Sequence, residues 1–317
     1  MRPVVSVIIP TCNRPQMVSE AIASATEVCA SVLSRDDFEV VVVDDGRVLD
    51  ATRTISEQAG ARYVRGGGLG VSAARNAGVR NALGEFVAFL DDDDIWLPEH
   101  LAEHLHILRT DRQIGFVFSQ GVLADAELRP VTGPSPVGVP TTDVTGFLLR
   151  NCPHFDTMGV RRSLFLDVGG FDPSLDSSED HDLALRLAAA APGCGLNVPS
   201  ALYRQHGPPQ SAARLRARRK QGFQVLRKHW RASKARFWRV QAETALLPLR
   251  GWYAYHFVRS AGEWSDSNNR VEALKCLAGS VASSPLHAFR MGAFWSALLN
   301  VGLARGGVGR KGVGTES

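Results

Sequence analysis

Phe86 to Leu90 is a short apolar run that ends in four consecutive aspartates, Asp91 to Asp94. Bounded by Gly84 on one side and by the acids on the other, the run reads as a buried strand. A strand buried on both faces belongs to a parallel sheet covered by helices. The acids then stand at its carboxyl end, where open α/β sheets place their ligands. Adjacent carboxylates repel one another unless a cation sits among them, and a hard divalent ion takes oxygen ligands. The competing reading is a solvated acidic turn that caps the helix after Pro98. An acid cluster between a buried strand and the pair Ile95-Trp96 favours a site instead.

The flanking sequence repeats the alternation. Val4 to Ile9 predicts a strand that ends at Pro10 and leads through Thr11–Pro15 into a helix reaching Ala30. Phe38 to Val43 predicts a second buried strand, ending in Asp44, Asp45 and Gly46. Thr52–Ala59 reads as a short helix and Arg62–Val64 as a short strand. The glycine loop 66–70 opens a helix over Val71–Leu83, and another helix covers Pro98–Leu108. Gly115–Leu123 reads as a strand, 130–140 as a loop, and Asn151–Val160 as irregular with strand character. A helix over Arg161–Val168 stops at Gly169-Gly170. Ser177–Ala190 reads as a helix in which Ser177 and Asp180 resemble a capping box, and Asn197–Tyr203 as a short strand leading to Arg204 and His206. Strands alternating with helices make this an α/β fold with a mostly parallel sheet.

The chain has 317 residues, one large or two modest domains, and 44% hydrophobic residues are enough for a core. Charged residues at 21% do not predict disorder. A net charge of +4 argues against a general nucleic-acid binder. Five scattered cysteines without a CxxC pair argue against zinc and against a disulfide framework, and fit a reducing cytoplasm. The first residues start a strand pattern rather than a signal peptide. The longest apolar run, Met291 to Ala304, carries Asn300 and is too short to span a bilayer. A boundary falls near residue 210. Beyond it Arg214–Arg239 is dense in arginine and lysine, interleaved with Phe223, Leu226, Trp230, Phe237 and Trp238. That segment is either a solvated helix face over an aromatic core stripe or an amphipathic surface that meets anionic lipid or an acidic acceptor. Helices are expected over 210–303 and a disordered tail over 304–317.

The pieces VSVIIPTCNRP, VVVDDG, GVSAARNAG, GEFVAFLDDDDIWLPEHL and GGFDPSLDSSEDHDLALRL occur in one order across residues 3–206. As a set they resemble the inverting nucleotide-sugar glycosyltransferases of family 2, which have the Rossmann-like GT-A fold. The resemblance implies a catalytic domain over 1–209, with a donor half to about residue 110 and an acceptor half over 111–209. It implies that Pro10, Thr11 and Arg14 wall the nucleotide. Asp45 would accept from a base N–H, which favours uridine. Arg75 would approach the diphosphate. Asp91 and Asp93 would form the DxD pair, with Asp93 and Asp91 on a metal and Asp92 facing the ribose or sugar; the register among four adjacent aspartates stays open by one. Asp180 would be the catalytic base, and His206 would help hold the metal. The implied cofactor is Mn²⁺ or Mg²⁺, and the implied partners are a nucleotide-sugar donor and a hydroxyl acceptor on a glycan, lipid carrier or small metabolite.

Each residue also has a plainer reading. Asp45 suits a strand-end turn, Arg75 a solvated helix face, Asp180 a helix N-terminus, and His206 a structural role. Cys12 stands where the family has an aromatic residue, which leaves the base open. Two other functions compete with transfer. One is a catalytically silent carbohydrate- or nucleotide-binding protein on the same fold. The other is a nicotinamide-dependent dehydrogenase, because Gly68–Ala73 fits GxGxxA and Asp91 lies about 20 residues on.

Overall fold

The computed structural model describes residues 2–47, 50–136, 138–142, 144–175, 177–205, 211–232, 250, 253–261, 263–267, 269–291 and 293–297. The chain forms two compact units, Met1–His206 with Val225–Gln241, and Gly207–Gln224 with Ala242–Ser317. His206 and the tail 304–317 lie outside the described residues.

The first unit is built on one sheet. Its strands are β1 (Val5–Thr11), β2 (Phe38–Asp44), β3 (Arg62–Arg65), β4 (Phe86–Phe89), β5 (Ile95–Trp96), β6 (Phe116–Ala124), β7 (Met158–Arg161) and β8 (Gly193–Arg204). They lie in the order β3-β2-β1-β4-β7-β6-β8-β5. The first four pair in parallel. β7 runs antiparallel to both β4 and β6, and β6 pairs in parallel with β8. The sheet is therefore a parallel half extended by a mixed one. All seven residues of β1 are buried, as expected for a central strand with helices on both faces.

The helices are α1 (Pro15–Val32), α2 (Asp50–Gln58), α3 (Val71–Asn81), α4 (His100–Thr110), α5 (Val144–Leu148), α6 (Arg162–Asp167), α7 (Glu179–Ala190) and α8 (Ala212–Ala232). α1 starts with Pro15 and buries Val18, Ala21, Ile22, Ala25, Val28 and Cys29, one helical stripe. That stripe shares a core with Val5, Val7 and Ile9 of β1, Val40 and Val42 of β2, and Leu101 and Leu105 of α4. On the other face α3 comes close enough that a Cβ on Gly78 would lie 2.4 Å from Ile8 Cγ2 and 3.0 Å from Val43 Cγ2.

Two expectations need correction, and one element was not foreseen. The capping box at Ser177 and Asp180 does not form: α7 starts at Glu179, and Ser178 precedes it with φ 63° and no side-chain cap bond. β8 is longer than Asn197–Tyr203, because Gly193 and Gly195 extend it; a Cβ on Gly193 would meet the Phe116 ring at 2.3 Å. Ile95-Trp96 forms a two-residue edge strand on β8, too short to show alternation.

The second unit is helical over 253–261, Arg270–Ser283 and Pro285–Arg290. Ala212, Leu215, Phe257, Val258, Ala261, Cys276, Leu277, Ala288, Phe294 and Ala297 form its core. Asn269 caps the helix Arg270–Ser283 by accepting from the Glu272 amide. Cys12, Cys29 and Cys194 are free thiols. Among the described residues no helix is long and apolar enough to cross a membrane.

Candidate active site

The acid cluster stands on an aromatic floor. Phe89, the last residue of β4, packs against Phe155, Phe165 and Phe171 at centroid distances of 4.8, 5.6 and 5.7 Å. Leu90 continues the parallel register by donating its amide to Ile8 O at 3.1 Å. The four aspartates then turn away from the sheet, each to a different partner.

Asp91 meets Arg75, which α3 delivers from below. Arg75 Nη2 donates to Asp91 Oδ1 at 2.5 Å, and Nη1 donates to Glu179 Oε1 at 3.3 Å. The guanidinium lies 5.1 Å from the Phe171 ring centroid and is 5% exposed. A buried arginine with two carboxylates is the arrangement that desolvation demands. Burial pushes the Asp91 carboxyl up to about 6, against the pull of Arg75. Through one side chain, the end of β4 and the start of α7 share a site.

Asp92 and Asp93 are tied to the loop after β1. Thr11 Oγ1 donates to Asp92 Oδ2 at 2.6 Å. Arg14 Nη1 donates to Asp92 Oδ1 at 3.1 Å and to Asp93 Oδ2 at 2.7 Å. Pro10 is buried inside β1, one residue before Thr11. Asp94 points inward, where its Oδ1 accepts from the Arg204 amide at 2.8 Å. Burial, then the neighbouring Asp156, raises the Asp94 carboxyl well above the usual range.

Asp156 and His154 escaped the sequence reading. Asp156 is fully buried, accepts from the Asp91 amide at 3.0 Å, and faces His154 Nδ1 at 3.4 Å. Burial alone would raise it, but His154 holds it below the usual carboxylate range. The available signal was one acid between Phe155 and Thr157 at the mouth of a strand, easily taken for a turn residue. One ligand oxygen from each of Asp91, Asp93 and Asp94 lies within 4.8 Å of the others. An all-carboxylate oxygen set of this kind suits Mg²⁺ or Mn²⁺.

Asp45, at the end of β2, has its carboxylate turned to the glycine loop. Oδ1 accepts from the amides of Gly68 at 2.7 Å and Leu69 at 3.1 Å, and Oδ2 from Gly70 at 2.7 Å. Gly67, Gly68 and Gly70 have φ of 102°, 74° and 90°, a conformation that requires glycine. The loop amides that a dinucleotide fingerprint would offer to a pyrophosphate are thus given to Asp45, and the loop follows the third strand rather than the first. A carboxylate has about four lone-pair sites, so Asp45 keeps capacity for one more donor.

Asp180 is half-buried on the first turn of α7, beside Glu179, and its Oδ1 accepts from the His181 amide at 2.7 Å. Burial, then Asp180, raises the Glu179 carboxyl. Two residues on, Asp182 is fully buried and accepts from Arg186 Nε at 2.8 Å, Lys228 Nζ at 3.0 Å and His229 Nε2 at 3.0 Å. α7 is therefore fixed in place just behind Asp180. Arg75, Asp91 and Glu179 form one hydrogen-bonded group, and Thr11, Arg14, Asp92 and Asp93 form a second beside it; Asp45 and Pro10 lie on neighbouring strands of the same sheet, and Asp180 beside Glu179.

The family model of Glycosyl transferase family 2 matches residues 6–169. An uncharacterized glycosyltransferase of Haemophilus influenzae is 28% identical over 189 residues, 57% of this chain and 61% of that protein. One from Rickettsia typhi is 31% identical over 190 residues, 57% of each protein. The matched stretch thus spans about three-fifths of these relatives. Among solved structures, a mannosyltransferase from Pyrobaculum calidifontis in complex with GDP-Man and Mn²⁺ superposes with a TM-score of 0.58 at 22% identity, over 96% of this chain and 81% of that one. S. aureus TarS residues 1–349 in complex with UDP also gives 0.58, at 18% identity over 99% and 94%. At these identities the structures establish the shared α/β fold.

Proposed function

Because the chain belongs to glycosyl transferase family 2 and has the GT-A fold, we propose that this glycosyltransferase is inverting and metal-dependent, and moves a sugar from a uridine diphosphate donor to an acceptor hydroxyl. The observation that carries the reading is Arg75, which joins Asp91 at the end of β4 to Glu179 at the start of α7. A donor-side acid cluster and an acceptor-side carboxylate pair thereby face one volume.

In this reading Asp91 and Asp93 would hold the divalent ion, with Asp94 in the same acid cluster. When bound, the ion stabilises the charge that develops on the leaving diphosphate. Thr11 and Arg14 fix Asp92 for the ribose or sugar, and Pro10 forms the floor of that wall. Arg75 keeps Asp91 oriented and supplies positive charge near the diphosphate. Asp45 holds the glycine loop and offers its remaining lone pair to the base. Asp180 takes the proton from the acceptor hydroxyl as it attacks the face opposite the leaving group. His206 is assigned to the metal on sequence alone.

Calorimetric titration with UDP, GDP and dTDP, each with Mn²⁺ and with chelator, tests the donor side. Metal-dependent binding of UDP above the others is the expected result, and metal-independent binding would sink the proposed cation site. Asp180→Asn should lower transfer by roughly 10² to 10⁴-fold while leaving UDP binding unchanged. Full activity in that variant would remove Asp180 as the base.

A further inference from the structure

The basic segment around α8 divides in the fold. Lys228 and His229 are directed at Asp182 within the first unit. The second unit keeps Arg214, Arg216, Arg218, Arg219 and Lys220 of that segment. Residues 207–224 and 242–317 hold 13 Lys and Arg against 5 Asp and Glu, although the whole chain nets only +4. Arg214, Arg216 and Lys220 are exposed.

This unit also exposes large apolar side chains, among them Val271, Leu274, Phe289 and Trp295. The helix Arg270–Ser283 turns Ala273, Cys276, Leu277 and Ser280 inward. On its other side Val271, Leu274, Ala278 and Ala282 are exposed at helical spacing, with Lys275 beside them. Val271 is 65% exposed. Phe289 and Trp295 are 46% and 48% exposed and stack at 6.1 Å, next to exposed Arg290. Trp295 Nε1 donates to Phe289 O at 2.9 Å, which satisfies the polar edge of the indole, and half of the side chain stays exposed beside Phe289 and Phe294.

We propose that the second unit docks on an anionic lipid bilayer through Phe289, Trp295 and the outer stripe of Arg270–Ser283. The chemistry selects this partner over a protein groove. Aromatic and aliphatic side chains settle at the boundary between headgroups and acyl chains, and surrounding arginines and lysines meet the headgroup phosphates. The excess of positive charge in this unit complements an anionic surface, and the exposed aromatic pair beside Arg290 favours a bilayer among such surfaces. Docking does not depend on the transfer reaction, so its test needs no donor or acceptor.

The test is flotation of the full chain with phosphatidylcholine vesicles, with and without phosphatidylglycerol. The expected result is co-flotation with the anionic vesicles only. Phe289→Ser with Trp295→Ser should lower the bound fraction about tenfold with unchanged circular dichroism and melting, since both rings are half-exposed. No flotation with anionic vesicles overturns the proposal, and so does a double variant that floats like wild type. Equal flotation with both vesicle types overturns the anionic assignment. A dimer that the double variant abolishes, with no vesicle binding, assigns the surface to a second copy of this chain instead.

Discussion

Asp45 joins a structural role to the ligand role proposed for it. It receives three backbone amides from the glycine loop. Asn at this position puts an NH₂ group against one of those N–H donors and leaves the loop short of an acceptor. Asp45→Asn should therefore destabilise the first unit by about 1–3 kcal/mol, read from urea unfolding, and weaken UDP binding in the same preparation. Wild-type stability in that variant would mean that the loop holds itself. The sequence predicted Asp45 as a site residue, but not these contacts. A strand-end acid is visible in a pattern, whereas a side chain folding back on a loop more than twenty residues later depends on backbone torsions. Asp156 was missed for a related reason. Its importance comes from burial beside Asp91 and Asp94, and a lone acid carries no period by which burial can be read.

At the level of elements, α4 carries a buried pair one turn apart. His100 stacks on Trp96 at 4.0 Å, and His104 Nε2 pairs with Ser119 Oγ at 3.2 Å. Burial lowers both, His104 to about 3 and His100 well below its usual value, with His104 adding to the effect on His100. The unfolded chain binds protons that the folded one refuses between these values and about pH 6.5. Their contribution is fully present above about pH 6.5 and is lost as pH falls, by about 1.4 kcal/mol per pH unit for each histidine. Urea midpoints at pH 7 and pH 5 should fall further apart for wild type than for His104→Leu, in which Ser119 keeps Ser200 and Thr157 as partners. Equal spacing would show that His104 is solvated or already charged. α3 gives a second test. Its contact with β1 and β2 leaves no room at Gly78, where a methyl group would stand 2.4 Å from Ile8. Gly78→Ala should cost about 1–3 kcal/mol through overpacking, although alanine favours helices. An increase in stability would mean that α3 moves outward freely.

For the molecule as a whole, charge is distributed unevenly along the chain. The excess of basic residues in the second unit is offset by an acidic balance in the first, which the net charge conceals. Vesicle binding should therefore weaken as salt rises from about 0.05 to 0.5 M, where the Debye length shortens severalfold, and the fraction that persists measures the apolar part of the contact. Binding indifferent to salt would contradict the role given to charge. The parallel half of the sheet was legible from start to finish, because β1, β2 and β4 are apolar runs between turn residues and the short β3 falls between a helix and the glycine loop. The mixed half was less so. β5 has two residues, and β8 is extended through glycines that normally mark turns. What made the candidate site readable was the repetition of one device, an acid at a strand end, on β2 and β4, the two strands that flank β1.

Asn76 holds the loop after α6 to α3 by a mutual pair. Its Nδ2 donates to Phe171 O at 2.8 Å, and its Oδ1 accepts from the Phe171 amide at 2.8 Å. Side-chain amides hydrolyse with time, and hydrolysis here would trade a donor for a second acceptor facing a carbonyl in a buried place. The helix protects against that fate, since the Ala77 amide lies within α3 and is not free to attack the side chain. Chemical ageing of the purified protein should thus spare Asn76 for as long as α3 stays folded. Asparagine turnover at this one position would act as a clock for transient opening of the helix that carries Arg75.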